Sequence, residues 1–118
     1  MKGSIPILRL GRTLLTTIQG ELRDKVAQDF QDDVLSALEM RGTDGLVIDI
    51  SALEVVDTSV ARVLVETGRM ARLMGAQTVL VGMRPEIAAT LVRMGYAMTG
   101  VRTALNVDEG LVLLPARR

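Results

Sequence analysis

The sequence predicts an α/β protein: an open mixed sheet of four or five strands, with helices packed mainly on one face. Three observations carry this. Two aliphatic runs, at 45–50 and 77–81, read as parallel strands covered on both faces. Between them lies a stretch with apolar residues at three- and four-residue steps, the pattern of a crossover helix, which makes a right-handed βαβ unit. At the front, two short β-rich runs are split by Gly11-Arg12 and read as a hairpin.

The elements follow in order. Ile7-Leu8-Arg9-Leu10 and Thr13 to Ile18 are the hairpin strands. Residues 24–41 form a helix with Val26, Ala27, Phe30, Val34, Leu35 and Leu38 on one face, Asp24 as N-cap and Gly42 as stop. Its outer face is acidic, with Asp29, Asp32, Asp33 and Glu39, as a solvated face usually is. Gly45 to Ile50 is the first parallel strand. Ser51 to Val56 is read as a loop in which Val55 and Val56 face inward. A second helix runs over 58–74 and presents Val60, Val63, Leu64, Thr67, Met70, Ala71 and Met74, with Gly75 ending it. After the strand Gln77 to Val81, Gly82-Met83-Arg84-Pro85 makes a turn and Pro85 starts a third helix, 85–94. Val101 to Leu105 is an edge strand, and Asp108 to Leu114 a last short helix. Gly100 and Gly110 are read as turn residues.

Composition narrows the function. The chain has 118 residues and reads as one domain, 1–118, with no linker or internal repeat. It contains no Cys and no His, so disulfides, Cys nucleophiles and every His-based triad are excluded. Aromatics are only 2%, Phe30 and Tyr96, so Leu, Val, Ile, Ala and Met must build the core; Met70, Met74, Met83, Met94 and Met98 are core filler or adaptable contact surface. Lys plus Arg number 14 and Asp plus Glu 14. A nucleic-acid binder needs a basic excess and stacking aromatics, and this chain has neither. Its apolar runs fall far short of the ~20 residues that span a bilayer. With no signal-peptide core at the start, the expected location is the cytoplasm.

The informative segment is 46–64. Functional sites of open α/β sheets gather beyond the carboxyl ends of the strands. Here Asp57-Thr58-Ser59 places hydroxyls at a helix N-terminus near that edge. Unpaired N–H groups and the helix dipole favour a phosphate there. Asp, Thr and Ser are also the ordinary capping residues, and most such triplets are only caps. Asp49, at the end of an aliphatic run, admits a second reading as a phosphoacceptor. That chemistry needs a Mg²⁺ held by further acids, and no acidic pair accompanies it. Ser51-Ala52-Leu53-Glu54 has capping-box spacing but precedes no long helical pattern.

Val47-Ile48-Asp49-Ile50-Ser51 followed by Val55-Val56-Asp57-Thr58-Ser59-Val60-Ala61 resembles the STAS domain, the (SpoIIAA-like) fold of bacterial anti-sigma factor antagonists. Ile5-Pro6-Ile7-Leu8, Leu73-Met74-Gly75-Ala76, Leu80-Val81-Gly82, Arg84-Pro85-Glu86-Ile87-Ala88, Thr103-Ala104-Leu105-Asn106 and Gly110-Leu111 match in order, so the resemblance covers nearly the whole chain. It lies nearest the stand-alone stressosome scaffolds of RsbS type.

The resemblance implies a protein that is not an enzyme, needs no cofactor or metal, and serves as ligand and substrate of a kinase. It implies phosphorylation of Thr58, after Asp57, with Ser59 as the alternative acceptor and Thr90 on the third helix as a second site. RsbS-type proteins usually carry Ser where this chain has Thr58, and RsbR-type co-scaffolds carry Asp-Thr; Arg84-Pro85-Glu86 also leans toward the RsbR type. The implied partners are an RsbT-type serine/threonine kinase and an RsbR-type co-scaffold, met through Glu54, Asp57, Thr58 and Ser59, with self-association into a large particle. The alternative is a one-to-one anti-anti-sigma factor that binds an anti-sigma kinase and builds no particle.

Overall fold

The computed structural model describes residues 5–40, 42–95 and 101–114. Tyr96, Met98 and Gly100 lie outside them. The elements are β1 (Ile7–Leu10), β2 (Thr13–Glu21), α1 (Asp24–Leu38), β3 (Gly45–Val55), α2 (Thr58–Leu73), β4 (Gln77–Val81), α3 (Pro85–Arg93), β5 (Val101–Ala104) and α4 (Val107–Leu113). The five strands form one sheet in the order β1-β2-β3-β4-β5. The β1–β2 hairpin is antiparallel and the other three pairings are parallel. This is the mixed α/β sheet that the sequence predicts.

Alternation along the strands sorts two cores. Leu46, Ile48 and Ile50 of β3 and Leu80 of β4 join Ala27, Phe30 and Val34 of α1, Val60 and Leu64 of α2, and Ile87 and Leu91 of α3. Val47, Val79 and Val81 face the other way, beneath α4, with Leu114. Three helices therefore cover one face and one short helix the other. With two faces to serve, β3 and β4 must be aliphatic at consecutive positions, which is why they read so plainly as parallel strands.

Four expectations need correction. α1 ends at Leu38; Glu39 and Met40 donate from their backbone N–H groups to Ser36 O and Ala37 O, so the chain leaves the helix in tight turns before Gly42. Its N-cap is Arg23, which makes no side-chain capping bond, and Asp24 is the first helical residue. β3 continues through the predicted loop to Val55, and Leu53 points inward there; Val55 is 48% exposed and Val56 half-buried. Gly110 is a buried residue within α4, where an added Cβ would stand 2.7 Å from Val81 Cγ1.

Candidate functional site

The first turn of α2 sits beyond the carboxyl end of β3. Asp57 is extended (φ −103°, ψ −174°), and its Oδ1 accepts the Val60 N–H at 2.9 Å. One of the helix's four open N–H groups is thus satisfied and the helix start is fixed. Thr58 is the first helical residue and is exposed; Ser59 is half-buried. Neither hydroxyl makes a hydrogen bond among the described residues. Glu54 is exposed just upstream and holds no ion pair there. The structure places Asp57, Thr58 and Ser59 together at the start of α2, with Glu54 upstream near the end of β3.

A groove of about 540 Å³ opens beside this turn. It is lined by Val55, Asp57 and Val60 on one side and by residues 21–25 on the other. Those residues precede and open α1, because β2 and β3 are parallel and deliver both helix starts to the same edge. The pairing of two helix starts was not visible in the sequence, since it depends on β2 running to Glu21.

Arg84 was also missed. It N-caps α3, its Nη2 donates to the Leu53 carbonyl, and its Nη1 lies 3.6 Å from Glu86 Oε2. It ties the β4–α3 turn to the end of β3, four residues before Asp57. An Arg directly before Pro at a helix start is the available signal. Close contact continues at Gly82 (φ +79°), where a Cβ would stand 2.6 Å from Ser51 Cβ.

The other candidates lie apart. Thr90 is half-buried on α3, and its hydroxyl donates to Glu86 O at 2.9 Å, within its own helix. Asp49 lies inside β3, not at its end. Its register partner is Val81, which faces α4, so Asp49 and the α2 start are on opposite sides of the sheet. Its Oδ1 accepts from Ser51 N–H and Oγ at 2.9 and 2.8 Å. No cluster of three or more carboxylates able to hold a metal exists among the described residues.

The family model of the STAS domain matches residues 4–110. The chain belongs to the STAS domain family. A solved structure of RsbS from Moorella thermoacetica, a serine-to-glutamate variant, is 42% identical, with a TM-score of 0.82 over 92% of each chain. A chain from a structure of the stressosome, described as a signal integration and transduction hub, is 40% identical, with a TM-score of 0.76 over 91% of this chain and 93% of that one. RsbRB of Bacillus subtilis, an RsbT co-antagonist, is 31% identical over 109 residues, 92% of this chain and 39% of RsbRB. The chain spans between a third and two-fifths of the RsbR co-antagonists it matches. Within the STAS family it groups with the RsbS- and RsbR-like proteins of the stressosome. Among the described residues no helix is long and apolar enough to cross a membrane.

Proposed function

We propose that this STAS domain is a cytoplasmic stressosome scaffold that holds an RsbT-type serine/threonine kinase and releases it when Thr58 is phosphorylated. The observation that carries the proposal is Thr58: exposed, its hydroxyl without a hydrogen bond among the described residues, and the first residue of a helix already capped by Asp57. The kinase transfers the terminal phosphoryl group of ATP to Thr58 Oγ, which gives up its proton. The phosphate adds roughly −1.5 to −2 charges. The helix start stabilises it, so the domain itself remains folded. A kinase seated over Glu54, Asp57 and Thr58 meets the new charge in a partly dry contact beside two carboxylates. A loss of ~1–3 kcal/mol there lowers affinity about 5- to 150-fold, enough for release.

Kinship with RsbRB, whose name makes it a co-antagonist of RsbT, supports the choice of kinase and of an RsbR-type co-scaffold. The protein works by binding, and its only chemistry is to accept a phosphate. Thr90 is the slower second site, because its hydroxyl is already bonded to Glu86 O.

The test is phosphate incorporation with the cognate kinase and ATP. Thr58→Ala is expected to lose most of the label, while Ser59→Ala and Thr90→Ala keep it. Thr58→Glu is expected to bind the kinase several-fold more weakly than wild type. Full labelling of Thr58→Ala would transfer the role to Ser59 or Thr90, and equal kinase affinity would remove the switch. Light scattering with an RsbR-type partner separates a large particle from a one-to-one complex.

A further inference from the structure

The end of the sheet opposite Thr58 carries a cleft of its own. α2 returns the chain from the carboxyl end of β3 to the amino end of β4, where Gly75 (φ +91°) turns it into Ala76 and Gln77. β5 starts beside them, with Val101 opposite Thr78. Gly68 lets β5 close on α2, since an added Cβ there would overlap the Val101 side chain. Beside this close approach opens a cleft of about 460 Å³, lined by Arg72, Ala76, Gln77, Thr78, Val101 and Arg102. That volume is within the ~300–1,000 Å³ of small-molecule sites.

The polar groups left open in the cleft are mainly donors. Arg72 is exposed, and its guanidinium makes no hydrogen bond or ion pair among the described residues. Arg102, also exposed, gives one N–H to the Leu113 carbonyl at 3.1 Å and keeps its others. The carbonyls that end α2 are already taken: those of Met70, Ala71 and Arg72 accept from the N–H groups of Met74, Ala76 and Gly75. Among the described residues no carboxylate lines the cleft. Asp44, whose carbonyl accepts Gln77 N–H, sets its carboxylate against Arg12 at 3.1 Å. The carboxyl end of α2 contributes about half a negative charge, against two full positive ones.

A second observation does not depend on charge. Thr78 is 1% exposed, and its Oγ1 is buried without a partner among the described residues. A buried hydroxyl left unpaired is costly and uncommon. The register neighbours of Thr78, Leu46 and Val101, are apolar, and Gly68 lies over it with no side chain. The cleft that Thr78 lines is therefore the source from which a partner can come.

We propose that this cleft binds a small organic phosphate, a monoester whose dianion sits between Arg72 and Arg102 with the Thr78 hydroxyl as a third donor. The donors come from α2, β4 and β5. A carboxylate offers two coplanar oxygens, which one guanidinium satisfies. The three terminal oxygens of a phosphate monoester can meet all three elements at once. Ala76 and Val101 give the organic part an apolar wall. Because the cleft lies at the amino end of β4, an occupant leaves the Thr58 turn uncovered.

The proposal uses neither the kinase nor Thr58, so its failure leaves that switch standing. The test titrates the full chain with glycerol phosphate, inorganic phosphate and succinate at constant ionic strength, followed by amide NMR. Glycerol phosphate is expected to bind saturably and to shift the amides of 75–78 and 101–104 while those of 57–60 stay in place. Inorganic phosphate is expected to reach the same amides several-fold more weakly, and succinate more weakly still. Arg72→Gln and Arg102→Gln are each expected to raise the glycerol phosphate Kd about tenfold or more. Both arginines are exposed, so these variants keep the fold, which thermal unfolding checks. Thr78→Val keeps the shape and removes the hydroxyl. It is expected to weaken binding several-fold while the unfolding temperature holds or rises, because an unpaired buried group is gone. Shifts that never saturate, or that spread to arginines elsewhere, would mean an adventitious ion only and overturn the proposal. So would succinate binding as tightly as glycerol phosphate, or Thr78→Val binding like wild type. Inorganic phosphate binding as tightly as the ester would overturn the assignment of an organic ligand.

Discussion

At the scale of single residues, Asp57 and Thr58 are neighbours with different duties. Asp57 supplies the cap, accepting Val60 N–H at 2.9 Å, whereas the Thr58 hydroxyl bonds nothing among the described residues. Asp57→Ala is therefore expected to lower stability by about 1 kcal/mol, and Asp57→Asn by much less, since Asn caps nearly as well. Thr58→Ala is expected to be neutral or slightly stabilising, because Ala is the better helix former. Thermal unfolding of the three variants checks this. A Thr58→Ala protein that loses as much stability as Asp57→Ala would show that Thr58 is structural. The same pair of residues shows how far the sequence could be read. Asp57-Thr58-Ser59 announces a helix start by composition alone, and so does Pro85. Arg23 gives no such sign, because the first turn of α1 has no side-chain cap. Arg84 was legible only as part of a turn, since its partner, the Leu53 carbonyl, is 31 residues away and on a strand that the sequence read as a loop.

At the scale of elements, what was legible follows burial. β3 pairs with β4 from Gly45 to Asp49 and is buried on both faces there, so its aliphatic run is unmistakable. Beyond Asp49 it pairs with β2 alone, through Gln19↔Ala52, Gly20↔Leu53 and Glu21↔Val55, with register shifts. A two-stranded, half-solvated extension carries Ser51, Ala52 and Glu54 on its surface, and this composition looks like a loop. Gly110 was misjudged for a related reason. Gly is usually a helix breaker, but here it allows α4 to lie against β4, with Val81 Cγ1 2.7 Å from where a Cβ would be. Gly110→Ala is expected to push α4 off the sheet and cost ~1–3 kcal/mol, despite the better helix propensity of Ala. Val81→Ala makes room in the same place. The double variant Gly110→Ala with Val81→Ala should then be more stable than the two single losses predict, a coupling that denaturant unfolding can measure. Additive losses would mean that the helix relaxes without feeling Val81.

At the scale of the whole molecule, the two faces of the sheet are unequally secured. The α1–α3 side buries Phe30 and most of the large aliphatic side chains. The α4 side buries Val47, Val79, Val81 and Leu114, with Leu15, Ala104, Val107, Leu111 and Leu113 only partly covered. α4 has seven residues, too few to persist as a helix without its packing. Its start is held by Asn106 Oδ1, which accepts from Glu109 N–H at 2.9 Å, and Arg102 Nη1 reaches the Leu113 carbonyl at its end. These are surface bonds, and each contributes about 1 kcal/mol. α1 and α2 instead share a buried polar bond, Gln31 to Thr67, inside an apolar seam, where an unpaired partner would cost more than the bond itself adds. The molecule should therefore open in layers. Native-state hydrogen exchange is expected to give the amides of α4 the least protection of the α4, α1 and α2 helices, and those of β3, β4 and α2 protection close to the global unfolding limit. Such an opening would uncover Val47, Val79 and Val81 while the Thr58 turn and the α1–α2 face, both on the opposite side, stay intact. If α4 instead exchanged only with global unfolding, the two cores would form one cooperative unit and the site edge would have no stability of its own.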